Sequence, residues 1–255
     1  MTGEPGPVAL VGSGEFLPVM AGVDASLLRD RPARAVIIPT AAALEGDARV
    51  DYWLELGRAH YRGMGVEPVA LDVRTRADAD DAAVARSVEG AGLVYLSGGD
   101  PHHLADTLRG GALWAAVVAA WRSGAALAGC SAGAMALTAG APEGLGRRGR
   151  LRGRLHGRRR AGTDRPGPDG LGLVAGLAVI PHFDQMERWR AGALELFAAW
   201  QPPGTALVGI EEHTALVTAG AVWRVEGEGT VWLLGPGERR PYAPGDEVPL
   251  PVPAP

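Results

Sequence analysis

Short runs of continuous hydrophobic residues, separated by stretches with helical spacing, constrain the fold of this chain more than any other feature. The runs are Val8–Val11, Ala35–Ile38, Val69–Leu71, Leu93–Leu96 and Ala125–Ala128. A strand made only of hydrophobic residues is covered on both faces, which is typical of a parallel sheet. Apolar residues recur three and four positions apart in the stretches 47–63, 77–88 and 112–122. The sequence therefore predicts an α/β fold with a doubly wound, mostly parallel sheet flanked by helices.

The pattern changes after residue 170. A strand at Ala178–Ile180 leads into a helix predicted over about 185–200, and strand-rich sequence follows from 205 to 235. We expect one α/β domain over residues 1–240 with this strand-rich part as a C-terminal extension. We also expect an insertion at 141–169 and a loosely held, proline-rich tail at 241–255.

Composition narrows the function. With 255 residues and 47% hydrophobic residues, the chain can bury the core of one large domain. All 25 basic residues are arginines, so a lysine Schiff base, pyridoxal-phosphate attachment and a P-loop lysine are excluded. A single cysteine excludes an internal disulfide and a cysteine-rich metal cluster. We expect neither a metal nor an organic cofactor.

Location and partners are predicted from the same data. We find no apolar run of membrane-spanning length and no signal-peptide pattern, so we expect a cytoplasmic protein that does not bind membranes. The net charge of -4 gives no general reason to expect nucleic-acid binding.

The strongest local motif is Gly-x-Ser-x-Gly at residues 129–133. It follows the apolar run that ends at Ala128 and precedes a helix-like Met135-Ala136-Leu137. A serine at such a strand-to-helix turn is held with its hydroxyl exposed, so Ser131 is the predicted nucleophile. Cys130 lies one position before the apex, which disfavours a thiol enzyme. The alternative is a helix start at which Ser131 is only the N-cap.

A serine nucleophile needs a base, and His182 is the best candidate because it ends an apolar strand predicted to reach the same sheet edge as Ser131. We interpret the other histidines as surface residues or helix-end residues; they are His60, His102, His103, His156 and His213.

The sequence does not decide which carboxylate would orient His182. The candidates are Glu143, Asp184, Glu211 and Glu212, with a slight preference for Glu143. Asp184 also fits a capping box that ends at Glu187, in which it would cap the next helix instead.

Loops at the carboxyl ends of parallel strands deliver side chains to ligands. The turn Gly98-Gly99 and the N–H of Ala132 can supply the two donors of an oxyanion hole. Asp100, followed by Pro101, fits a helix N-cap. The loop at Gly12–Phe16 lacks the full dinucleotide fingerprint. The residues expected to contact substrate are Asp100, Glu15, Arg188 and Glu212.

Four motifs in this order resemble the serine peptidase family of dipeptidase E and cyanophycinase, which has the class I glutamine amidotransferase-like fold. The motifs are Gly98-Gly99-Asp100, the residues 129–134, Pro181-His182-Phe183 and the residues 209–216. The resemblance covers about residues 7–235. It implies that Ser131 is the nucleophile, that His182 is its base and that Gly99 helps to form the oxyanion hole. It also implies a homodimer.

The chain departs from the cyanophycinase pattern at two prolines. Pro101 and Pro181 stand where cyanophycinases typically carry glutamine, and Arg188 and Arg190 alone remain of an arginine series, with altered spacing. Cleavage of the aspartate-arginine polymer is therefore disfavoured. Pro-His-Phe is more similar to the dipeptidase E branch.

Nine arginines lie within residues 147–165. They are interpreted as a solvated insertion, with two alternatives: a lid that attracts acidic peptides, and a site for nucleic acid or another anionic polymer. We predict a serine hydrolase that cleaves small peptides or related amides, acidic ones included, through an acyl-enzyme. The rival hypotheses are an α/β-hydrolase esterase and a non-catalytic binding protein on the same fold.

Overall fold

The computed structural model describes residues 4–143, 170–235 and 237–254 of the chain. Its main sheet has eight strands in the order β12-β9-β8-β1-β5-β4-β2-β3. Their bounds are β1 Val8–Val11, β2 Arg34–Ile38, β3 Glu67–Ala70, β4 Leu93–Leu96, β5 Ala126–Cys130, β8 Thr214–Ala219, β9 Val222–Gly227 and β12 Glu247–Val248. Five neighbouring strands pair in parallel, in the order β1, β5, β4, β2 and β3. The strands β8, β9 and β12 add an antiparallel edge next to β1. The predicted α/β fold class is confirmed.

Helices cover the sheet. Their bounds are α1 Ala21–Leu28, α2 Asp47–Gly63, α3 Arg76–Ala79, α4 Ala82–Arg86, α5 Pro101–Leu108, α6 Ala112–Arg122, α7 Ala132–Leu137, α8 Phe183–Trp189 and α9 Ala193–Trp200. Short 3-10 helices at Pro18–Met20 and Thr40–Glu45 precede α1 and α2. No helix in the described part of the chain is both long enough and apolar enough to cross a membrane.

Two predicted helices are each broken in two. In the stretch 77–88, the first helix ends at Ala79 because the N-cap of a second helix follows. This N-cap is Asp81, which accepts a hydrogen bond from the N–H of Ala83 at the start of α4. The stretch 185–200 is interrupted at Arg190, which has an extended backbone, and at Gly192, whose φ is 78°. Local capping and one left-handed glycine therefore override the longer apolar periodicity.

A second, four-stranded sheet has the order β11-β10-β7-β6. Its strands are β6 Leu177–Ile180, β7 Ala206–Ile210, β10 Val231–Gly235 and β11 Glu238–Tyr242. The strand before His182 was expected to belong to the same sheet as the strand before Ser131. This was wrong, because β6 pairs with β7 in the second sheet. Hydrophobic continuity shows that a strand is buried, but it does not show with which strand it pairs.

The C-terminal segment is also more ordered than expected. Glu247 and Val248 pair with β9, and the indole Nε1 of Trp223 donates a 2.9 Å hydrogen bond to the carbonyl of Pro251. Residues 247–248 thus extend the main sheet and Pro251 contacts it, whereas a loosely held tail was expected over 241–255. Prolines lack a backbone donor, but the residues between them can still pair.

A buried ion pair joins α1 to α2. The Nε2 atom of His60 lies 2.7 Å from an Oδ atom of Asp24, and the side chains are only 5% and 2% exposed. Burial raises the pKa of the Asp24 carboxyl, and the contact with His60 partly offsets this rise. His60 was expected on the helix surface, but it closes this pair beside the ring of Tyr61.

We predict that His60→Ala lowers the free energy of unfolding by about 3 kcal/mol near pH 8, because the buried Asp24 carboxyl loses its hydrogen-bond partner. The loss should be smaller at pH 5. A carboxyl group whose folded pKa is raised is destabilising when ionised, and that penalty grows as the pH rises from the unfolded pKa towards the folded pKa. Urea unfolding at both pH values measures the effect.

The matched control is His60→Ala combined with Asp24→Asn, which has no ionisable group at this position. Its stability relative to the wild type should vary less between pH 5 and pH 8 than that of the single variant. An equal loss for the single variant at both pH values would contradict the role given to Asp24.

Candidate active site

Ser131 lies at a sharp turn between β5 and α7. Its backbone has φ 50° and ψ -107°, a strained conformation for a residue other than glycine. The flanking glycines permit the turn because a Cβ atom on Gly129 would lie 2.6 Å from the backbone of Gly133, and one on Gly133 would lie 2.3 Å from the carbonyl oxygen of Leu96. The N–H of Ser131 donates a 2.9 Å hydrogen bond to the carbonyl of Val11. The Gly-x-Ser-x-Gly motif thus forms the predicted elbow.

His182 contacts this serine directly. Its Nε2 atom lies 3.1 Å from the Ser131 Oγ atom. The residue ends the segment after β6 and is the N-cap of α8, with a left-handed backbone at φ 50°. The ring of Trp189 packs on the imidazole with a centroid distance of 4.9 Å. Although β6 belongs to the second sheet, the two residues singled out in the sequence lie together.

Glu212, and not Glu143, lies against the other nitrogen of His182. Its Oε1 atom is 2.8 Å from Nδ1. Glu143 is exposed after α7 and makes no hydrogen bond to His182. The preference for Glu143 rested on its closeness to Ser131 in sequence. The segment 211–213 instead connects β7 in the second sheet to β8 in the main sheet, and this crossing carries Glu212 to the serine.

Asp184 holds the backbone of Glu212 in place. Its Oδ1 atom accepts a 3.0 Å hydrogen bond from the N–H of Glu212, and its Oδ2 atom accepts one from the amide of Gln185. Partial burial alone would raise the pKa of the Asp184 carboxyl, but these hydrogen bonds outweigh it and hold the pKa below its usual value. The capping-box interpretation was wrong, because His182 occupies the N-cap position of α8.

The buried side chain of Glu15 joins the loop after β1 to the turn after β4 and to the end of β5. Glu15 accepts a 2.8 Å hydrogen bond from the N–H of Gly98 and another, also 2.8 Å, from the Cys130 thiol. Burial first, and then the charge of Glu15, raise the pKa of the Cys130 thiol well above its usual range. Cys130 therefore stays protonated, and Glu15 fixes the glycine turn of β4 beside the elbow. No motif in the sequence predicted that Glu15 would contact Gly98 and Cys130.

The backbone N–H groups of Gly99 and Ala132 remain available beside the serine. Neither donates to another group in the described part of the chain, whereas the N–H of Gly98 is taken by Glu15. Gly99 has φ 144°, and a Cβ atom there would lie 2.3 Å from the backbone of Ala41. The sequence predicted these two N–H groups as oxyanion-hole donors, and that role stays a prediction.

Three other candidates have structural contacts instead. Asp100 caps α5 by accepting hydrogen bonds from the N–H groups of His102 and His103, both 3.0 Å. Arg188 bonds to Gln185 and does not line the cavity at Ser131. Glu211 accepts hydrogen bonds from Thr230 and from the indole of Trp232. Asp100 and Arg188 are not among the residues that line the cavity at Ser131, and their expected contacts with substrate stay a prediction.

A cavity of about 350 Å³ opens at Ser131. One side is polar and includes His182, Glu212 and the two glycines after β4. The other side comes from the 3-10 helix before α2 and from the first half of α2 itself. Its residues are Glu45, Arg49, Tyr52, Trp53 and Leu56. The sequence predicted only helical spacing for the stretch 47–63, which includes Tyr52 and Leu56, so this side of the cavity was missed. The spacing i, i+3, i+4, i+7 that starts at Arg49 could have indicated that these residues share one face of α2.

Among the described residues, no three His, Cys, Asp or Glu side chains are grouped so that they could hold a metal ion. His156 and the arginines of 147–165 lie outside the described residues. The site described above has the parts of a hydrolase that acts through a serine: an elbow, a histidine and a carboxylate in hydrogen-bonded sequence, and backbone donors beside them.

Comparisons with known proteins agree with this class. The model of peptidase family S51 matches residues 11–225. A crystal structure of a peptidase from an acI-B1 Actinobacterium is 35% identical, with a TM-score of 0.83, and the match covers 97% of this chain and 98% of that one. A putative Peptidase E protein from Listeria monocytogenes EGD-e is 16% identical, with a TM-score of 0.63, over 88% of this chain and 100% of that one. No match was found among curated proteins.

The chain belongs to peptidase family S51 and is a serine-type peptidase. The resemblance to the dipeptidase E family is thereby confirmed. The α/β-hydrolase esterase considered from the sequence is set aside.

We predict that Asp184→Ala slows the reaction of Ser131 with a fluorophosphonate by roughly tenfold, the order expected when a hydrogen bond to a charged group is lost. The carboxylate no longer holds Glu212 against His182, while Ser131 and His182 are unchanged. Labelling rates followed by mass spectrometry measure the effect. Glu195→Ala, which removes an exposed carboxylate on α9, should react at the wild-type rate. Equal rates for both variants would contradict the role of Asp184.

Proposed function

We propose that this peptidase hydrolyses small peptides or related amides through an acyl-enzyme formed on Ser131. The observation that carries the proposal is the hydrogen-bonded chain from Ser131 Oγ to His182 Nε2, 3.1 Å, and from His182 Nδ1 to Glu212 Oε1, 2.8 Å. A hydroxyl, an imidazole and a carboxylate in this order are the groups that acyl transfer by serine requires.

In the first step, the Ser131 oxygen attacks the carbonyl carbon of the substrate while its proton moves to His182 Nε2. Glu212 accepts a hydrogen bond from the Nδ1–H group, so that Nε2 is the nitrogen free to accept the proton. The carboxylate then stabilises the imidazolium. His182 next gives its proton to the leaving nitrogen, the amine departs, and the acyl-enzyme remains. A water molecule, deprotonated by His182, attacks this ester and releases Ser131.

The negative charge that develops on the carbonyl oxygen is met by the N–H groups of Gly99 and Ala132. Such preorganised donors contribute about 3–4 kcal/mol each to transition-state stabilisation. Glu15 supports this arrangement indirectly, since it holds the N–H of Gly98 and so fixes the turn that presents Gly99. The ring of Trp189 lies tilted against the imidazole of His182 at a centroid distance of 4.9 Å.

Cys130 does not compete for the role of nucleophile. The thiol is fully buried, bonds to Glu15, and has a raised pKa. A thiolate would be needed for attack. These facts favour the serine over the neighbouring cysteine.

We predict that Ser131→Ala and His182→Ala each abolish nearly as much peptidase activity as the double variant, because the two residues act as one unit. The loss in kcat should be about 10⁴-fold or more. The assay is a dipeptide and amino-acid-amide library, with fluorophosphonate labelling of Ser131 as an independent readout. Turnover that survives Ser131→Ala would contradict the assignment. Absence of both labelling and turnover in the wild type would favour a non-catalytic binding protein.

The carboxylate assignment has a matched test within the chain. Glu212→Gln should lower kcat by about 10²-fold to 10⁴-fold, because the amide no longer favours the productive tautomer or the imidazolium. Glu143→Gln removes a carboxylate that is exposed and away from His182, so its kcat should equal that of the wild type. The opposite ranking of the two variants would return the role to Glu143.

A further inference from the structure

The exposed large hydrophobic side chains of the protein are concentrated at one place. In residues 4–143, 170–235 and 237–254 they are Leu17, 37% exposed, Tyr52, 48% exposed, and Trp189, 58% exposed. Leu17 and Tyr52 line the cavity at Ser131, and Trp189 packs on His182. Apolar groups that a protein leaves in water next to its reactive serine mark a surface that a ligand covers.

These side chains belong to a fixed wall. Tyr52 packs on Trp53 with a ring-centroid distance of 5.2 Å, and Trp53 packs edge-on against the buried Phe16 at 6.4 Å. Phe16 in turn holds the loop that presents Leu17, and Leu56 continues the wall one turn along α2. We call Leu17, Tyr52, Trp53 and Leu56 the apolar wall. Because it is anchored to the core through Phe16, a ligand need not order it on binding.

Among the described residues, one arginine lines the cavity, and its guanidinium lies against the apolar wall. The guanidinium of Arg49 lies 5.0 Å from the ring centroid of Tyr52 and 4.8 Å from that of Trp53. Its Nε atom is 3.6 Å from Glu45, which lines the cavity as well. Arg49 thus has both aromatic contacts and a carboxylate partner before any substrate arrives.

The cavity carries more acidic than basic groups. Among the lining residues that the structure describes, Glu15, Glu45 and Glu212 are acidic, whereas Arg49 is the single arginine. An acidic substrate side chain would meet three carboxylates and one cation that is already paired. The charges of the described site therefore disfavour an acidic substrate, although the arginines of 147–165 had suggested one.

We propose that the apolar wall is the subsite that selects substrates of this peptidase, and that it takes a bulky aliphatic or aromatic side chain next to the scissile bond. The proposal rests on the proposed function of Ser131. Covering Leu17 and Tyr52 with the side chain removes apolar surface of both partners from water, and the anchored rings offer a flat face to an aromatic group. Small or charged side chains gain neither contribution.

The test uses two dipeptide series, Xaa-Ala and Ala-Xaa, in which Xaa is Phe, Leu, Ala, Asp or Lys. Each dipeptide is measured for kcat/KM and for its ability to protect Ser131 from a fluorophosphonate, so that binding is read even without turnover. In one series, Phe and Leu should exceed Ala, Asp and Lys by about tenfold or more, the discrimination that a hydrophobic pocket provides for a few methylene groups. The better series shows on which side of the bond the side chain lies.

Variants separate the wall from the rest of the site. Tyr52→Ala should reduce the preference for Phe over Ala at least threefold, mainly through KM, whereas Tyr52→Phe should retain it. Arg62→Ala, on an exposed position of the same helix and outside the cavity, should match the wild type. Because Tyr52 is half exposed, its truncation leaves the core intact.

Each alternative outcome has a distinct meaning. If Ser131 is labelled but Asp or Lys dipeptides bind best, or all bind equally, this proposal is overturned while the proposed function stands. If no fluorophosphonate labels Ser131 above the Ser131→Ala background, the proposed function fails and the subsite proposal with it.

Discussion

The close packing of α7 against the main sheet is the constraint on which the rest of the site depends. Gly133 lies so near the carbonyl of Leu96 that no side chain fits between them, and Gly129 lies equally near Gly133. This contact holds the turn at Ser131 in a conformation that costs about 1–3 kcal/mol for a residue with a side chain. A looser elbow would relax, and the serine hydroxyl would lose its fixed direction towards His182.

The second sheet positions the two residues that lie in hydrogen-bonded sequence with Ser131. His182 follows β6 and Glu212 follows β7, two strands that pair in parallel, so their carboxyl ends meet at one edge. The chain then enters β8 of the main sheet, and this crossing brings that edge to the elbow. The hydrogen bond from the Glu212 backbone to Asp184 joins the start of α8 to the crossing. Ser131 is therefore positioned by the main sheet, and His182 and Glu212 follow strands of the second sheet. The distances between these three residues depend on how the two sheets pack against each other.

The same serine faces two kinds of surface. On one side lie His182, Glu212 and the two glycines after β4, and on the other lies an anchored group of apolar side chains. Family membership establishes the type of peptidase, but it does not define the side chain that the cavity accepts. Under the subsite proposal this choice depends on α2, whose surface residues carry no catalytic motif. The chemistry and the selectivity of the site would then be separable by mutation.

The sequence by itself determined the α/β class, the elbow, the nucleophile candidate and the histidine candidate. These rest on local rules: buried parallel strands are uniformly apolar, and a serine between glycines at a strand end forms a turn. Tertiary structure alone decided the second sheet, the pairing of Glu247–Val248 with β9, and the choice of Glu212 over Glu143. It also decided that Tyr52 faces the cavity instead of the core. The pairing of strands and the direction of a carboxylate depend on contacts between residues far apart in the chain. The spacing of residues along a short segment does not predict such contacts.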